Sequence, residues 1–342
     1  MIKSTFLISF LILVPLSAFS QKNVNSLVVV SYNVENLFDT VNSPLFDDDA
    51  FTPVGSKKWT SDRYQKKLND LAMVIDSIPG KELPAVIGLA EIENREVLED
   101  LINTRRMQTG KFKIVHEDGV DPRGIECALI YRPELFRYIS HEYIPIKDSI
   151  DPEYLYRAIL YVEGEGPGGD TLHLFMNHWK SRSGGMEVTE RQRILYAHAV
   201  RERLDLISSG EANPNVIVMG DFNDEPTNQS ITHTLSVLNK RQNIRQGELY
   251  NLFYDAHNLN REGTYNYRGT WNMLDQIMVS YQLLNREQGL TTEYDQGKIF
   301  SQDWMLYNNE NYGAKLPSST YGGPNYYGGP SDHLPVYVTF TW

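Results

Sequence analysis

Apolar residues fall in short unbroken runs along most of the chain rather than in strict alternation with polar ones. Leu27–Val30, Ala85–Leu89, Ala128–Tyr131, Leu172–Met176, Val216–Met219, Gln276–Val279 and Val336–Phe340 are the clearest. Runs of this length read as strands covered on both faces. Two stretches carry a helical period instead. Tyr64, Leu68, Leu71, Ile75 and Ile78 fall at i, i+4, i+7, i+11 and i+14. Ile194, Ala197, Val200, Leu204 and Ile207 recur every three or four residues. Each series places one apolar stripe along a helix, suited to lying on a sheet. Residues 155–163 and 171–176 flank a Gly-Pro turn as a hairpin does. Helices interleaved with hairpins predict an α/β (α+β) fold with mixed rather than purely parallel sheets. No internal repeat or long linker divides the chain, so one domain is expected over 24–342.

The N-terminus has a different pattern. Lys3 is followed by an apolar run, Phe6 to Leu16, and then by Ala18-Phe19-Ser20. This is the layout of a secretory signal peptide over 1–20, cut before Gln21. The run is too short for a comfortable membrane span, and no cysteine near the cut would take a lipid. The expectation is a secreted or periplasmic protein without a stable membrane anchor.

Composition changes this picture in two ways. Lys and Arg number 32 against 44 Asp and Glu, a net charge of -12. Such a chain has no general attraction to nucleic acid, so any polyanion must meet a local basic groove or a bound cation. The only cysteine is Cys127, which excludes an intramolecular disulfide and a thiolate zinc site.

Polar residues recur where the apolar runs end. Asn33 follows Val28–Tyr32, Glu91 follows Val86–Ala90, and Asp221-Phe222-Asn223 follows Val216–Gly220. His178 closes the run at Met176, Asp275 opens the run to Val279, and Asp332-His333 precedes the last strand. A strand end holds a side chain on a stiff support, where sites are built. Any one of these residues could simply cap a turn. Together they offer carboxylate and amide oxygens with histidine nearby, the donor set of a hard divalent cation and of proton transfer.

The order Ser31-Tyr32-Asn33, Ala90-Glu91-Ile92-Glu93-Asn94, Asn177-His178-Trp179, Gly220-Asp221-Phe222-Asn223, Leu274-Asp275 and Ser331-Asp332-His333 resembles the endonuclease/exonuclease/phosphatase superfamily. The likeness runs over about residues 27–342. It implies a four-layer α/β/β/α sandwich of two mixed sheets flanked by helices, and metal-dependent hydrolysis of phosphodiester bonds. Nucleic acid is then the leading substrate, DNA favoured. A phospholipid, an inositol phosphate or another phosphorylated small molecule is the alternative. A non-catalytic binding protein on the same fold is a second alternative. The implied cofactor is Mg²⁺, with Mn²⁺ as a substitute, held by Asn33, Glu91 and Asp332. His178, Asp221, Asn223, Asp275 and His333 take the catalytic positions, with Asp275 pairing with His333. Whether His333 is a base or a cationic clamp stays open. Arg157, Asn223 and His178 are the candidates for phosphate binding, and Glu117 the candidate partner of His178.

Weaker signals remain. Gly164–Gly169 satisfies GxGxxG but no helix follows, so it reads as a turn. Asp47-Asp48-Asp49 reads as a solvated acidic loop rather than a Ca²⁺ site. Lys180, Arg182 and Arg191 are either a solvated helix start or a patch for a polyanion. The tyrosine-rich segment 308–331 is expected to be irregular, either stacking on bases or packing as a lid.

Overall fold

The computed structural model describes residues 25–342 other than 240–243, 287 and 295. The expected signal peptide, 1–20, lies outside the described residues. Among the described residues no helix is long and apolar enough to cross a membrane.

In chain order the strands and the longer helices are β1 (Ser26–Leu37), α1 (Ser61–Ser77), β2 (Val86–Ile92), α2 (Arg95–Ile102), β3 (Lys113–Val115), β4 (Glu126–Tyr131), β5 (Arg137–Ile144), β6 (Ile159–Glu165), β7 (Thr171–His178) and α3 (Met186–Gly210). There follow β8 (Asn215–Asp221), β9 (Val237–Leu238), β10 (Leu249–Asn251), β11 (Tyr265–Tyr267), β12 (Thr270–Asn272), β13 (Asp275–Ser280), β14 (Lys298–Ile299), β15 (Leu306–Asn309), β16 (Ala314–Pro317), β17 (Tyr321–Gly322), β18 (Asn325–Tyr326) and β19 (Val336–Thr341). One sheet runs β14-β19-β1-β2-β4-β3 and the other β5-β6-β7-β8-β13-β10-β9. Both are mixed: β1 pairs parallel with β2, and β7 parallel with β8, while β19, β4, β6 and β13 join antiparallel.

Alternation along the central strands builds the layers. Leu27 and Val29 of β1 meet Met176 of β7 and Ile217 and Met219 of β8 in a core between the sheets. Their neighbours Val28 and Val30 face Tyr64, Leu68, Leu71 and Ile75, the apolar stripe of α1. Val216 and Val218 face Ala197, Val200 and Leu204 of α3. Successive strand residues point to opposite faces, so each buried strand serves two cores. This is the α/β/β/α sandwich. Gly88 sits where the sheets approach: a Cβ there would lie 2.5 Å from Met176 Sδ.

All seven apolar runs lie in strands, save that Ala85 precedes β2 by one residue, and both periodic stretches lie in helices, save that Ile78 is the extended cap of α1. β5 has no counterpart in that reading. Its residues Arg137–Ile144 are exposed or half-buried and lie at a sheet edge, so no apolar run marks it. The GxGxxG segment is the β6–β7 turn, with Gly168 and Gly169 both at φ +89. Two expectations are corrected. The tyrosine-rich segment is two short hairpins, β15–β16 and β17–β18, rather than irregular chain. The acidic loop is only partly solvated: Asp48 is buried and accepts hydrogen bonds from the Ser43 N–H.

Candidate active site

The parallel pairs of both sheets end on one side of the sandwich, and the site is built there. In the second sheet His178, Asp221 and Asp275 are lateral neighbours on β7, β8 and β13. Gly220 makes that register possible. Its φ is +142 and an added Cβ would lie 2.0 Å from the Asn177 carbonyl oxygen, so only glycine lets β7 run this close. In the first sheet the β1–β2 register shifts between Asn33 and Leu37, and the β2–β4 register between Leu89 and Ile92. Glu35, Asn36 and Glu91 have φ of +51, +54 and +68, left-handed values that cost a non-glycine residue about 1 kcal/mol each. These two adjacent bulges hold Glu91: the Asn36 N–H donates to its Oε2 at 2.8 Å.

Asp221 is the hub. Its Oδ1 accepts the Asn223 N–H at 2.9 Å and its Oδ2 accepts Asn33 Nδ2 at 3.0 Å. His178 Nε2 lies 3.7 Å from both Asp221 Oδ2 and Glu91 Oε1. His333 Nε2 lies 3.9 Å from Asp221 Oδ2, and its Nδ1 is 2.7 Å from Asp275 Oδ2. Tyr265 covers the His333 ring, with centroids 4.8 Å apart. The residues brought together are therefore Asn33, Glu91, His178, Asp221, Asn223, Asp332 and His333, all lining one cavity of about 670 Å³, with Asp275 buried behind them.

The two histidines differ in charge. Burial, reinforced by Arg157 and Arg123, pushes His178 well below the usual imidazole range, so it is neutral. Burial also acts against charge on His333, but Asp275 and Asp221 outweigh it and hold the ring well above that range. Burial raises the Asp221 carboxyl, with His333 opposing and Asp275 adding to the rise. Asp332 is raised by burial and then by Glu35 and Glu91, with His333 opposing.

That last effect bears on metal binding. Glu91 and Asp332 border the same cavity and Glu91 adds to the raising of Asp332, with His333 and Lys67 opposing it, and Glu91 Oε1 lies 3.7 Å from His178 Nε2. Two carboxylates on one cavity are oxygen donors of the kind a hard divalent cation takes. The amide of Asn33 is already committed, its Oδ1 taking the Glu35 N–H at 3.0 Å and its Nδ2 serving Asp221. Three ligand-type groups within 4.8 Å of one another are Asp221, Asp275 and His333. There the His333 Nδ1 is spent on Asp275, which makes this trio a proton-bearing chain as well as a candidate metal site.

Arg157 is buried, with its guanidinium bound to Asp121 Oδ2 at 2.7 Å and to the carbonyls of His178 at 3.3 Å and Trp179 at 3.1 Å. As it stands it braces the end of β7. Asp121, its partner, carried no signal in the sequence because it lies in a loop far from every strand-end motif. Glu117 does not reach His178: it bonds His141 Nε2 at 2.9 Å, and the expected pairing is corrected accordingly. Arg182 clasps the Asn223 loop through the Asn223 carbonyl at 2.7 Å, and Arg191 is forked onto Asp148 at 2.7 Å. Arg182 also borders the cavity of the site, and Lys180 borders the adjoining one, bound to Tyr154 Oη at 2.7 Å. Sequence reasoning also missed Glu35 and Lys67. Glu35 accepts the N–H groups of Thr320, Tyr321 and Asp332, and the buried Lys67 ammonium donates to the carbonyls of Glu35 and Pro330 and to Thr320 Oγ1. Together they fix the loop that delivers Asp332 and His333.

The family model described as Endonuclease/Exonuclease/phosphatase family matches residues 28–341. No curated protein sequence matches. Among solved structures, an endonuclease/exonuclease/phosphatase family protein from Bacteroides thetaiotaomicron is similar, with 17% identity, 93% of this chain and 98% of that one covered, and a TM-score of 0.57. The human Nocturnin catalytic domain with bound sulfate is 16% identical over 92% and 94%, with a TM-score of 0.56. A mannosyl-6-phosphatase of Bacteroides thetaiotaomicron VPI-5482 is 18% identical over 92% and 100%, with a TM-score of 0.57. At these identities the likeness is one of fold.

Proposed function

For a chain that belongs to the endonuclease/exonuclease/phosphatase family, a family of metal-dependent phosphoester hydrolases, we propose hydrolysis of a phosphodiester bond within an extended substrate, nucleic acid first and DNA favoured. One observation carries this reading. Beside the cavity of about 670 Å³ lies another of about 590 Å³, and both are bordered by Glu91, His178, Ser181 and Ser183. The reactive centre is therefore midway along a trough, where a chain can continue on both sides of the bond being cut. A phosphomonoester needs only one side. Tyr265 and Tyr267 border one arm, and Tyr154, Lys180 and Arg123 border the other. Rings and cations suit bases and phosphates despite the acidic chain as a whole.

Glu91 and Asp332 would hold the cation, Mg²⁺ or Mn²⁺, with Asn33 adjoining. When bound it would neutralise charge growing on the phosphoryl and leaving oxygens. Asp221, fixed through both oxygens by Asn33 and Asn223, orients the attacking water and takes its proton. The imidazolium of His333, kept charged and oriented by Asp275, donates to a phosphoryl oxygen and so acts as a clamp. Neutral His178 donates a second hydrogen bond on the opposite flank. Export through the 1–20 segment is part of this reading.

The test is a comparison of turnover on single-stranded and double-stranded DNA, RNA, a mononucleotide monoester and inositol phosphates, each with Mg²⁺ and with EDTA. Oligonucleotide cleavage that needs the cation is expected. Turnover confined to monoesters would overturn the diester reading in favour of a phosphatase.

A further inference from the structure

A cavity of about 570 Å³ lies between α1 and the C-terminal hairpins, and it shares no lining residue with either arm of the trough. Its walls are aromatic. Trp304, Tyr307 and Tyr327 border it and are 41%, 44% and 67% exposed. Five aromatic side chains are exposed among the described residues, and three of them meet here. Exposed rings scattered singly need no explanation, but three around one cavity leave a contiguous apolar surface in water.

The polar groups of the wall are neutral or neutralised. Lys66 Nζ donates to Asp70 Oδ2 at 2.5 Å and to the Gly328 carbonyl at 2.6 Å. Asn309 Nδ2 donates to Tyr307 Oη at 3.1 Å, and its Oδ1 accepts the N–H groups of Asn311 at 3.1 Å and Tyr312 at 3.3 Å. Lys66 is the cavity's sole cationic side chain, and Asp70 its sole anionic one. A ligand here meets ring faces, amide and hydroxyl groups and one internal ion pair, in a volume suited to a small molecule or a short oligomer. These are complementary to a pyranose, whose C–H face packs on an aromatic ring while its hydroxyls exchange hydrogen bonds at the edge. A nucleobase also stacks on rings, but its phosphates would find no uncommitted cation.

We infer that this cavity binds a neutral saccharide, at a site separate from the phosphoester centre. The test exposes the full chain to an array of immobilised neutral glycans, beside Trp304→Ala and Tyr327→Ala. Both substituted side chains are surface-exposed, so thermal melts and phosphoester turnover should match the parent. Retention of at least one neutral glycan is expected, with affinity falling roughly tenfold or more in each variant. No retained glycan, or equal retention by both variants, overturns the inference. A thymidine oligonucleotide that quenches tryptophan fluorescence in the parent but not in Trp304→Ala, where no glycan does, assigns the cavity to nucleic acid instead and also overturns it.

Discussion

His333 Nδ1 lies 2.7 Å from Asp275 Oδ2, and Asp275 is fully buried on the strand that neighbours Asp221. The two residues are 58 positions apart: Asp275 opens β13 of one sheet and His333 lies in the loop that leads into β19 of the other. Asp275 fixes which nitrogen of His333 faces the cavity and stabilises its charge. Asp275→Asn preserves shape and removes that charge, so kcat should fall by roughly 10²–10⁴ with KM changed far less. His333→Ala should abolish turnover while the circular dichroism spectrum and melting temperature stay near the parent's. A near-parental rate in either variant would remove His333 from the mechanism.

Metal dependence should centre on Glu91. EDTA is expected to stop turnover, and Mg²⁺ or Mn²⁺ to restore it. Mg²⁺ should also raise the melting temperature of the parent, because a ligand bound only by the folded state stabilises it. Glu91→Gln should lose most of that rise, and an undiminished rise would move the ion elsewhere, to the Asp221, Asp275 and His333 cluster first.

Gly220→Ala should be among the most damaging single-methyl changes in the chain. The added carbon would overlap the Asn177 carbonyl at 2.0 Å, at a φ of +142 that alanine rarely adopts. A loss of about 3 kcal/mol or more is expected in urea unfolding, with activity lost along with the β7–β8 register. A parental unfolding midpoint would contradict the close approach of these strands.

Lys67→Met replaces a buried ammonium that makes three hydrogen bonds with an apolar side chain of similar length. The carbonyls of Glu35 and Pro330 and the Thr320 hydroxyl would each lose a donor. The expected cost is about 3 kcal/mol. Hydrogen exchange should quicken in residues 318–333 before it does in the sheets, and uniform exchange would argue against the pin.

Glu126 supplies a pH dependence. Burial raises its carboxyl to about 7, against the lowering effect of the Asp121 N–H. Its folded value is above its unfolded one, so its contribution is fully present below about pH 4.5 and is lost as pH rises through about 7. Above that it changes no further. Chemical denaturation across this window should show parental stability declining by up to about 3 kcal/mol relative to Glu126→Gln. Parallel profiles would place the carboxyl in an ordinary solvated state.

The layers and the seven central strands were legible because every buried strand contributes to two cores and so is apolar throughout. β5 was not, since an edge strand in water needs no apolar run. The strand-end residues were legible as a set because Asn33, Glu91, Asp221 and His333 interrupt apolar sequence. Their supports were not. Glu35, Lys67 and Asp121 look like ordinary surface charges in one dimension, and only the folded chain shows that they are buried. The same gap misled the pairing of Glu117, which follows β3 and bonds His141 rather than His178.

The reactive centre straddles a seam. Asn33, Glu91 and the Asp332–His333 pair arrive on one sheet or the loop joined to it, while His178, Asp221 and Asp275 arrive on the other. Whatever occupies the trough therefore stitches two halves that are otherwise joined by packing, Met176 against Gly88 among it, and by the Asn33–Asp221 and His333–Asp275 hydrogen bonds. Small sliding between the halves would silence the enzyme well before either sheet melts, and a bound substrate would restrain that sliding while it is being cut.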